Sequence, residues 1–169
     1  MIRQRLGKDL LLFDGGMGTL LQEKGLAPGE LPETWNLTHS EEIYKIHRQY
    51  IEAGSDIILT NTFGANALKF HDDSCSLEEI IKAAVSHVKK AEREALLQTG
   101  DERKIYTALD VGPTGKLLKP MGDLEFETAY EAFKEVVILG EQAGADLIHI
   151  ETMSDTYELK AAVLAAKEN

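Results

Sequence analysis

Apolar and polar positions along the chain fall into four rounds, each a short apolar run followed by a longer amphipathic stretch. The runs are almost continuously apolar, which is typical of parallel strands buried on both faces. The amphipathic stretches repeat apolar residues at helical spacing and carry capping residues at their ends. The predicted strands are LLLFD at about 10–14, DIILT at 56–60, KIYTALD at 104–110 and DLIHIE at 146–151. The predicted helices begin near Ser40, after Ser76, near 126 and after Ser154 or Asp155, and the first three end at Gly54, Gly100 and Gly144.

The longest irregular stretch is the segment of about 15–39, between the first strand and the first clear helix. It contains Pro28 and Pro32, and no helix is predicted directly after its opening glycines. A loop of this length is unusual between a strand and a helix and is commonly functional. Trp35 lies within it and is expected either to line a pocket or to pack the loop against the protein.

Strands that alternate with helices predict right-handed βαβ units, which close either as an open doubly wound sheet or as a barrel. An internal repeat favours the barrel: AGSDIILTNTF at 53–63 matches AGADLIHIETM at 143–153. The repeat spans two βα units, and alternate strands of a barrel contribute to the same interior layer. Asn61 and Glu151 would then occupy equivalent strand ends. The shared AG-x-D start has a simpler interpretation, a turn from helix to strand.

Composition and charge exclude several classes of protein. Apolar residues make up 43% and charged residues 28% of the 169 positions, which is typical of a globular domain. The net charge of −11 argues against binding to nucleic-acid phosphates. The sequence has no apolar run long enough for a membrane span and no signal-peptide pattern. The single cysteine, Cys75, permits no internal disulfide, and a cytoplasmic location is expected.

The side chains best suited to chemistry stand at the carboxyl ends of the predicted strands, the face where parallel α/β folds bind ligands. Glu151 ends an apolar run, and a carboxylate there needs a partner such as a ligand ammonium or an internal Arg or Lys. Three of the candidates have plainer alternatives: Asp14 and Asp110 could stabilise adjacent glycine turns, and Asn61 could cap a loop. The candidates are Asp14, Asn61, Thr62, Asp110 and Glu151.

The glycine clusters and the histidines carry weaker signals. GMGT at 16–19 does not complete a dinucleotide fingerprint, and GPTGK at 112–116 lacks the spacing of a phosphate loop. Bare backbone beside Asp14 suits an amino-acid ligand better, with the carboxylate meeting an ammonium group. No histidine shows metal-binding spacing. His149 should point away from Ile148 and Ile150 and pack against a helix.

Four motifs, in this order, resemble the homocysteine S-methyltransferase family over essentially the whole chain: DGGMGT at 14–19, NTFGAN at 61–66, DVGPTG at 110–115 and IETMSD at 150–155. The resemblance implies a (βα)8 TIM barrel that passes a methyl group to the thiolate of homocysteine, held on zinc, to make methionine. Cobalamin and folate would be bound by other modules of the parent protein. The implied substrate-binding residues are Asp14 and Glu151 at the amino group, Gly15 and Gly16 at the carboxylate, and Asn61, Thr62 and Phe63 around the pocket. Asp110 is added to the expected substrate-binding residues because of its position at a strand end.

One departure from the family pattern limits what the chain is expected to do. The family's zinc is held by three cysteines near the last strands, whereas this sequence has only Cys75, which matches none of them. We therefore expect residues 1–169 to form the amino-terminal (βα)4 half of the barrel, truncated after the fourth βα unit. No catalytic residue and no metal ligand are expected in this half. It should be inactive alone, and its partner would be the missing carboxyl-terminal half or a second copy of itself.

Two alternatives need no resemblance. Asp14, Asp110 and Glu151 on one barrel face could form the acid/base pair of a hydrolase or lyase. The low aromatic content of 7% lowers the glycosidase version, because sugars stack on aromatic rings. The third interpretation is a non-catalytic half-barrel that serves folding or assembly.

Overall fold

A computed structural model describes residues 2–70, 74–100 and 103–169 of the chain. Its strands are Ile57–Leu59 (β1), Tyr106–Val111 (β2) and Leu147–Ile150 (β3). Its helices are Met17–Glu23 (α1), Trp35–Thr38 (α2), Ser40–Ala53 (α3), Leu77–Thr99 (α4), Phe126–Ala143 (α5) and Thr156–Glu168 (α6). Short 3-10 turns form at Ile2–Gln4 and Pro32–Thr34. No helix in the described ranges is both long and apolar enough to cross a lipid bilayer.

The three strands form one parallel sheet in chain order, β1-β2-β3. The register pairs Ile57 with Tyr106 and Ala108 with Leu147. Consecutive order and parallel direction follow from βα units that each add one strand to the same edge, as in a barrel.

The helices α3 to α6 pack on a single face of this sheet. Their apolar stripes meet the strand residues that point outward, and alternate strand residues point to the other face. Two clusters make up this layer, one around Ile58 with α3 and α4, and one around Leu109 and Val111 with α4, α5 and α6. A doubly wound sheet would need helices on both faces, so the arrangement is that of part of a (βα)8 barrel, as the internal repeat predicts.

The first predicted strand, at about 10–14, is corrected by the structure. It forms one isolated parallel bridge, Phe13 to Ile57, rather than a regular strand. The Asp14 amide donates to the Ile57 carbonyl at 3.0 Å, and the Ile57 amide donates to the Leu12 carbonyl at 3.0 Å. The segment has a described neighbour on one side only, and Leu10 is 82% exposed. Half of its backbone groups therefore lack the ladder that would hold a longer strand.

The AG-x-D repeat is confirmed as a turn from helix to strand. Gly54 and Gly144 end α3 and α5 with φ of 113° and 94°, a left-handed conformation that glycine adopts without a Cβ clash. The aspartates that follow reach the neighbouring chain segment: Asp56 accepts from the Leu12 amide at 3.0 Å, and Asp146 from the Thr107 amide at 2.9 Å. The aspartates of the repeat thus fix the strand register at the amino-terminal ends of the strands.

The segment of 15–39 is more ordered than its sequence predicts. Helix α1 begins at Met17, directly after the glycines, so the prediction of no helix there is wrong. Its N-cap is Gly16, which offers no side-chain cap, and the helix is held by burial of Leu21 in one apolar cluster with Trp35. The Trp35 indole donates to Glu30 at 2.7 Å and stacks on His39, so it packs the loop down and does not line the pocket.

Candidate functional site

A pocket of about 440 Å³ opens at the carboxyl ends of the strands. Its walls come from the glycine segment after the first bridge, from the turn at Pro32–Thr34, and from the ends of all three strands. Seven of the eight substrate-binding residues predicted from the sequence line it, and Thr62 does not. The lining residues are Asp14, Gly15, Gly16, Met17, Gly18, Pro32, Glu33, Leu59, Thr60, Asn61, Phe63, Asp110 and Glu151.

Asp14 is positioned by its pairing with β1. One carboxylate oxygen, Oδ2, accepts a hydrogen bond from the Leu59 amide at 3.1 Å, so the side chain caps the strand and not the glycine turn. The other oxygen, Oδ1, is buried and has no partner among the described residues. Burial raises the pKa of Asp14 to about 7; backbone hydrogen bonds oppose this, and the charge of Glu151 adds to it.

Asp110 lies inside β2 and is almost fully buried. Its Oδ1 also lacks a hydrogen-bond partner within the described part of the chain. Burial is the main cause that raises the pKa of Asp110 to about 8, followed by the charges of Glu151, Asp14 and Glu33. The adjacent DVGPTG turn is held instead by the buried Glu158, which accepts from the Thr114 amide at 2.7 Å and from its hydroxyl at 2.6 Å.

Glu151 follows β3, and its amide donates to the Val111 carbonyl at 3.1 Å. Its half-buried carboxylate lies 3.6 Å from the His149 ring nitrogen Nε2. The sequence predicted that His149 packs against a helix, and this is wrong. His149 is the register partner of Asp110 and contacts Phe13, with ring centroids 4.9 Å apart. Parallel register partners point to the same face, so His149 shares the pocket side of the sheet.

Of the two glycines that open the pocket, Gly15 is required by close packing, whereas a Cβ on Gly16 would meet only the Thr19 hydroxyl at 4.0 Å. A Cβ on Gly15 would lie 2.8 Å from the Tyr50 hydroxyl, which is closer than real Cβ contacts. That hydroxyl donates to the Gly16 carbonyl at 3.3 Å and thereby ties the glycine segment to α3. The backbone of both residues remains part of the pocket wall.

The loop after β1 is fixed by hydrogen bonds that use its polar side chains. The side-chain amide of Asn61 donates to the backbone carbonyl of Pro32 at 2.8 Å. The backbone carbonyl of Asn61 accepts from the side chain of Asn36 at 2.8 Å. The Thr62 hydroxyl donates to the Asp110 carbonyl at 2.8 Å, which places Thr62 behind the pocket wall. Phe63 lies in the wall, and its carbonyl accepts from the Gly112 amide.

Glu33 is the main site residue that the sequence analysis did not single out. It is 3% exposed, lines the pocket, and accepts a hydrogen bond from the Gly64 amide at 2.6 Å. A Cβ on Gly64 would lie 2.7 Å from the same Glu33 oxygen, so the glycine is needed for this contact. The available sequence signal was an acid between Pro32 and Trp35 in a long loop, which does not indicate burial.

The pocket is strongly acidic. Four carboxyl groups line it, from Asp14, Glu33, Asp110 and Glu151, and no lysine, arginine or histidine lines it among the residues the structure describes. Buried carboxylates need positive partners, so the pocket suits a small ligand with a cationic group. No cluster of three His, Cys, Asp or Glu residues in the described ranges has the arrangement of a metal site. Cys75 packs against the apolar layer of α4 to α6, away from the pocket lining.

Fold and site together define an α/β protein of the (βα)8-barrel type with an acidic pocket at the carboxyl ends of its strands. The model of the homocysteine S-methyltransferase family matches residues 11–169. The chain therefore belongs to the homocysteine S-methyltransferase family, as the four motifs indicate.

Two curated relatives are methionine synthases, which are enzymes. The one from Mycobacterium leprae is 32% identical over 170 aligned positions, covering 97% of this chain, and the one from Mycobacterium tuberculosis is 33% identical over 168, covering 96%. The chain spans only 14% of the length of each.

Solved structures of the homocysteine methyltransferase MmuM from Escherichia coli share the fold. The metallated form superposes with a TM-score of 0.84 at 23% identity, covering 99% of this chain and 62% of that one. The oxidised form gives a TM-score of 0.83 and covers 61% of that chain.

Proposed function

We propose that this pocket binds the amino-acid end of homocysteine in an enzyme that transfers a methyl group to the homocysteine thiol and so makes methionine. The observation that carries the proposal is the convergence of Asp14, beside β1, and Glu151, after β3, on a pocket that no cationic side chain of the described residues lines. A ligand ammonium supplies the positive partner that these carboxylates lack. Membership of the homocysteine S-methyltransferase family is the reason for proposing that this ligand is homocysteine, an amino acid with a thiol.

The roles of the remaining residues follow from their positions. The Gly15 and Gly16 backbone is proposed to meet the ligand carboxylate, because no side chain there keeps a ligand away. Asn61 and Phe63 form the wall, and Thr62 supports it through the Asp110 carbonyl. Asp110 has acidic surroundings, because the charges of three other carboxyl groups raise its pKa.

The described residues do not fit a zinc site. They contain no suitable ligand cluster, and Cys75 is packed elsewhere. We therefore propose for this chain only the binding of the amino-acid end, without methyl transfer. The zinc, and the cobalamin and folate implied by the family resemblance, would be bound by other parts of a longer protein. Zinc analysis after metal loading tests this: tight zinc at one ion per chain would contradict it.

The test of the binding proposal is a calorimetric cycle with two ligands and two proteins. L-Homocysteine should bind to the wild-type chain, and N-acetyl-L-homocysteine, which has no ammonium, should bind at least about 30-fold more weakly. Glu151→Gln should weaken binding of homocysteine and leave binding of the N-acetyl compound unchanged. Glu131→Gln, an exposed acid on α5, is the matched control. Equal affinity of the wild-type chain for both ligands would refute an ammonium pocket.

Acid–base catalysis is the second candidate function, because the raised pKa values of Asp14 and Asp110 suit proton transfer near neutral pH. The family match favours the amino-acid pocket. Hydrolysis of a glycoside or ester that is abolished by Asp110→Asn would reverse this preference.

We also propose that the chain self-associates through its open sheet face. Leu12 and Phe13 are 47% and 44% exposed beside β1, and every residue of β3 is only partly buried. Exposed apolar surface next to a strand edge favours pairing with another chain. Sedimentation at increasing concentration should show a dimer, and a strictly monomeric profile at high concentration would exclude it.

A further inference from the structure

The charge balance of the pocket is the feature that the binding proposal leaves unexplained. One ligand ammonium brings one positive charge, whereas four carboxyl groups line the pocket, each from a different segment. Asp14 comes from the first bridge, Glu33 from the 3-10 turn, Asp110 from β2 and Glu151 from the end of β3.

The four carboxyl groups differ in how their charge is compensated. Glu33 accepts a short hydrogen bond from the Gly64 amide, and Glu151 is half exposed and lies near His149. Asp14 has one backbone donor, and its second oxygen is buried without a described partner. Asp110 likewise has a buried Oδ1 without a described partner, and the charges of three other carboxyl groups act on it.

The groups that face Asp110 come from every element around it on the pocket side. They are Asp14 beside β1, Glu33 from the long loop, Glu151 after β3, and His149 as its register partner on β3. The helices lie on the other face of the sheet. Three acids and one imidazole therefore surround a buried acid, and an additional negative charge there is unfavourable in low dielectric.

We propose that the free pocket holds a proton on Asp110 and that the ligand ammonium displaces it, so that binding exchanges one cation for another. This inference rests on the proposed function, because it requires an ammonium group to enter the pocket. The balance is simple: R–NH3+ and Asp110–COOH give R–NH3+ beside Asp110–COO−, and the proton leaves to solvent. The raised pKa of Asp110 agrees with this starting state.

The exchange has a consequence for selectivity. A neutral or anionic ligand cannot replace the proton, so the site discriminates in favour of zwitterions with a free ammonium. Affinity for such a ligand should rise with pH up to the point where the ligand ammonium itself loses its proton.

The exchange is measured by calorimetry of L-homocysteine binding at pH 7 in two buffers of different ionisation enthalpy, phosphate and Tris. The wild-type chain should release roughly one proton per ligand, because Asp110 starts protonated and ends charged. Asp110→Asn, which resembles the protonated acid in shape, should bind homocysteine more weakly and with smaller release, because only Asp14, with a pKa of about 7, still gives up part of a proton. Asp123→Asn, an exposed acid, should behave as wild type. No release by the wild-type chain, or equal release by the Asp110→Asn variant, would overturn the exchange.

A second measurement needs no ligand. Infrared spectra of the free chain in D2O should show a protonated carboxyl band at pH 7 that is clearly smaller in Asp110→Asn, where Asp14, with a pKa of about 7, still contributes part of it. Glu33→Gln removes one facing charge but keeps an acceptor for the Gly64 amide, so its band should disappear at lower pH than in wild type. Absence of the band from the wild-type chain, or a band of equal size in Asp110→Asn, overturns this inference whatever the pocket binds. A band in a chain that does not bind homocysteine would instead overturn the proposed function.

Discussion

The sheet has an amino edge, where its parallel strands begin, and a carboxyl edge, where they end. Both carry aspartates, but in opposite surroundings. At the amino edge, Asp146 accepts from the Thr107 amide and from the Lys89 ammonium at 2.6 Å. Although burial alone would raise its pKa, these donors lower it. Asp56 has the same arrangement, with the Leu12 amide and Arg5 as partners.

At the carboxyl edge, Asp14 and Asp110 each keep a buried oxygen without a described partner, and the pKa of each is raised towards or above neutrality. The amino edge uses its aspartates to stabilise strand register. The carboxyl edge leaves its aspartates uncompensated, which costs stability and reserves them for a ligand. The comparison predicts that substitutions at the two edges affect different properties.

The largest expected effect is on ligand binding at the carboxyl edge. Asp14→Asn should weaken homocysteine binding by roughly 30-fold or more, since loss of a buried charged partner costs on the order of 2 kcal/mol or more. The same variant should unfold at an equal or higher urea concentration, because an uncompensated acid is removed. Asp123→Asn is the control for both measurements. A variant that loses stability and affinity together would show that Asp14 is structural, like its counterparts at the amino edge.

The next effect is on stability at the amino edge. Asp146→Ala should lower the free energy of unfolding by about 1 to 2 kcal/mol, because the Thr107 amide and Lys89 lose their shared acceptor. Asp146→Asn keeps a side-chain oxygen for the amide and should lose less. Urea unfolding measures both, and homocysteine affinity per folded chain should stay unchanged. A binding defect in Asp146→Ala would break the separation between the edges.

The pH dependence of stability should have opposite signs at different sites. Asp14 and Asp110 have pKa values of about 7 and 8 in the folded chain, above the ordinary value near 4. The folded state therefore binds more protons, and their contribution to stability is lost as pH rises from about 4 to 8. Burial lowers the pKa of His47 to about 3, so its contribution is lost as pH falls below about 6.5.

Melting temperatures between pH 5 and 9 test this in the wild-type chain and in Asp110→Asn. The decline in melting temperature between pH 5 and 8 should be shallower in the variant, because one of the two titrating carboxyl groups is gone. An identical decline in both proteins would show that Asp110 is ionised throughout this range.

Local patterns in the sequence were sufficient for the features that depend on neighbouring residues. The ends of α3, α4 and α5 follow from glycines and from the Ser76 capping box, which are short-range signals. Three of the four pocket acids, Asp14, Asp110 and Glu151, were found because the carboxyl ends of parallel strands converge, whatever the details of packing.

Features that depend on distant contacts were missed. Helix α1 has no capping side chain and forms because Leu21 is buried beside Trp35. Glu33 enters the pocket only because the long loop folds back onto Gly64. The face that His149 occupies depends on which side of the sheet the helices cover, and alternation along one strand does not determine that.

The smallest effect on stability should come from substitution of Lys104, an exposed cation at the amino edge. It separates two ways to stabilise the Asp146 carboxylate, namely direct hydrogen bonds and the charge of a nearby exposed lysine. Lys104 lies 3.6 Å from Asp146 and 3.5 Å from Glu92, with about half of its side chain exposed. Lys104→Gln should change the free energy of unfolding by less than about 0.5 kcal/mol, because solvent screens exposed pairs. Urea unfolding at low and high salt measures this change beside that of Asp146→Ala. A small, salt-dependent loss of stability means that the Thr107 amide and Lys89 keep Asp146 ionised. A loss as large as that of Asp146→Ala would mean that the charge of Lys104 keeps Asp146 ionised. In the first case the edges differ in the hydrogen-bond donors to their carboxylates, and the exposed Lys104 adds little to that difference.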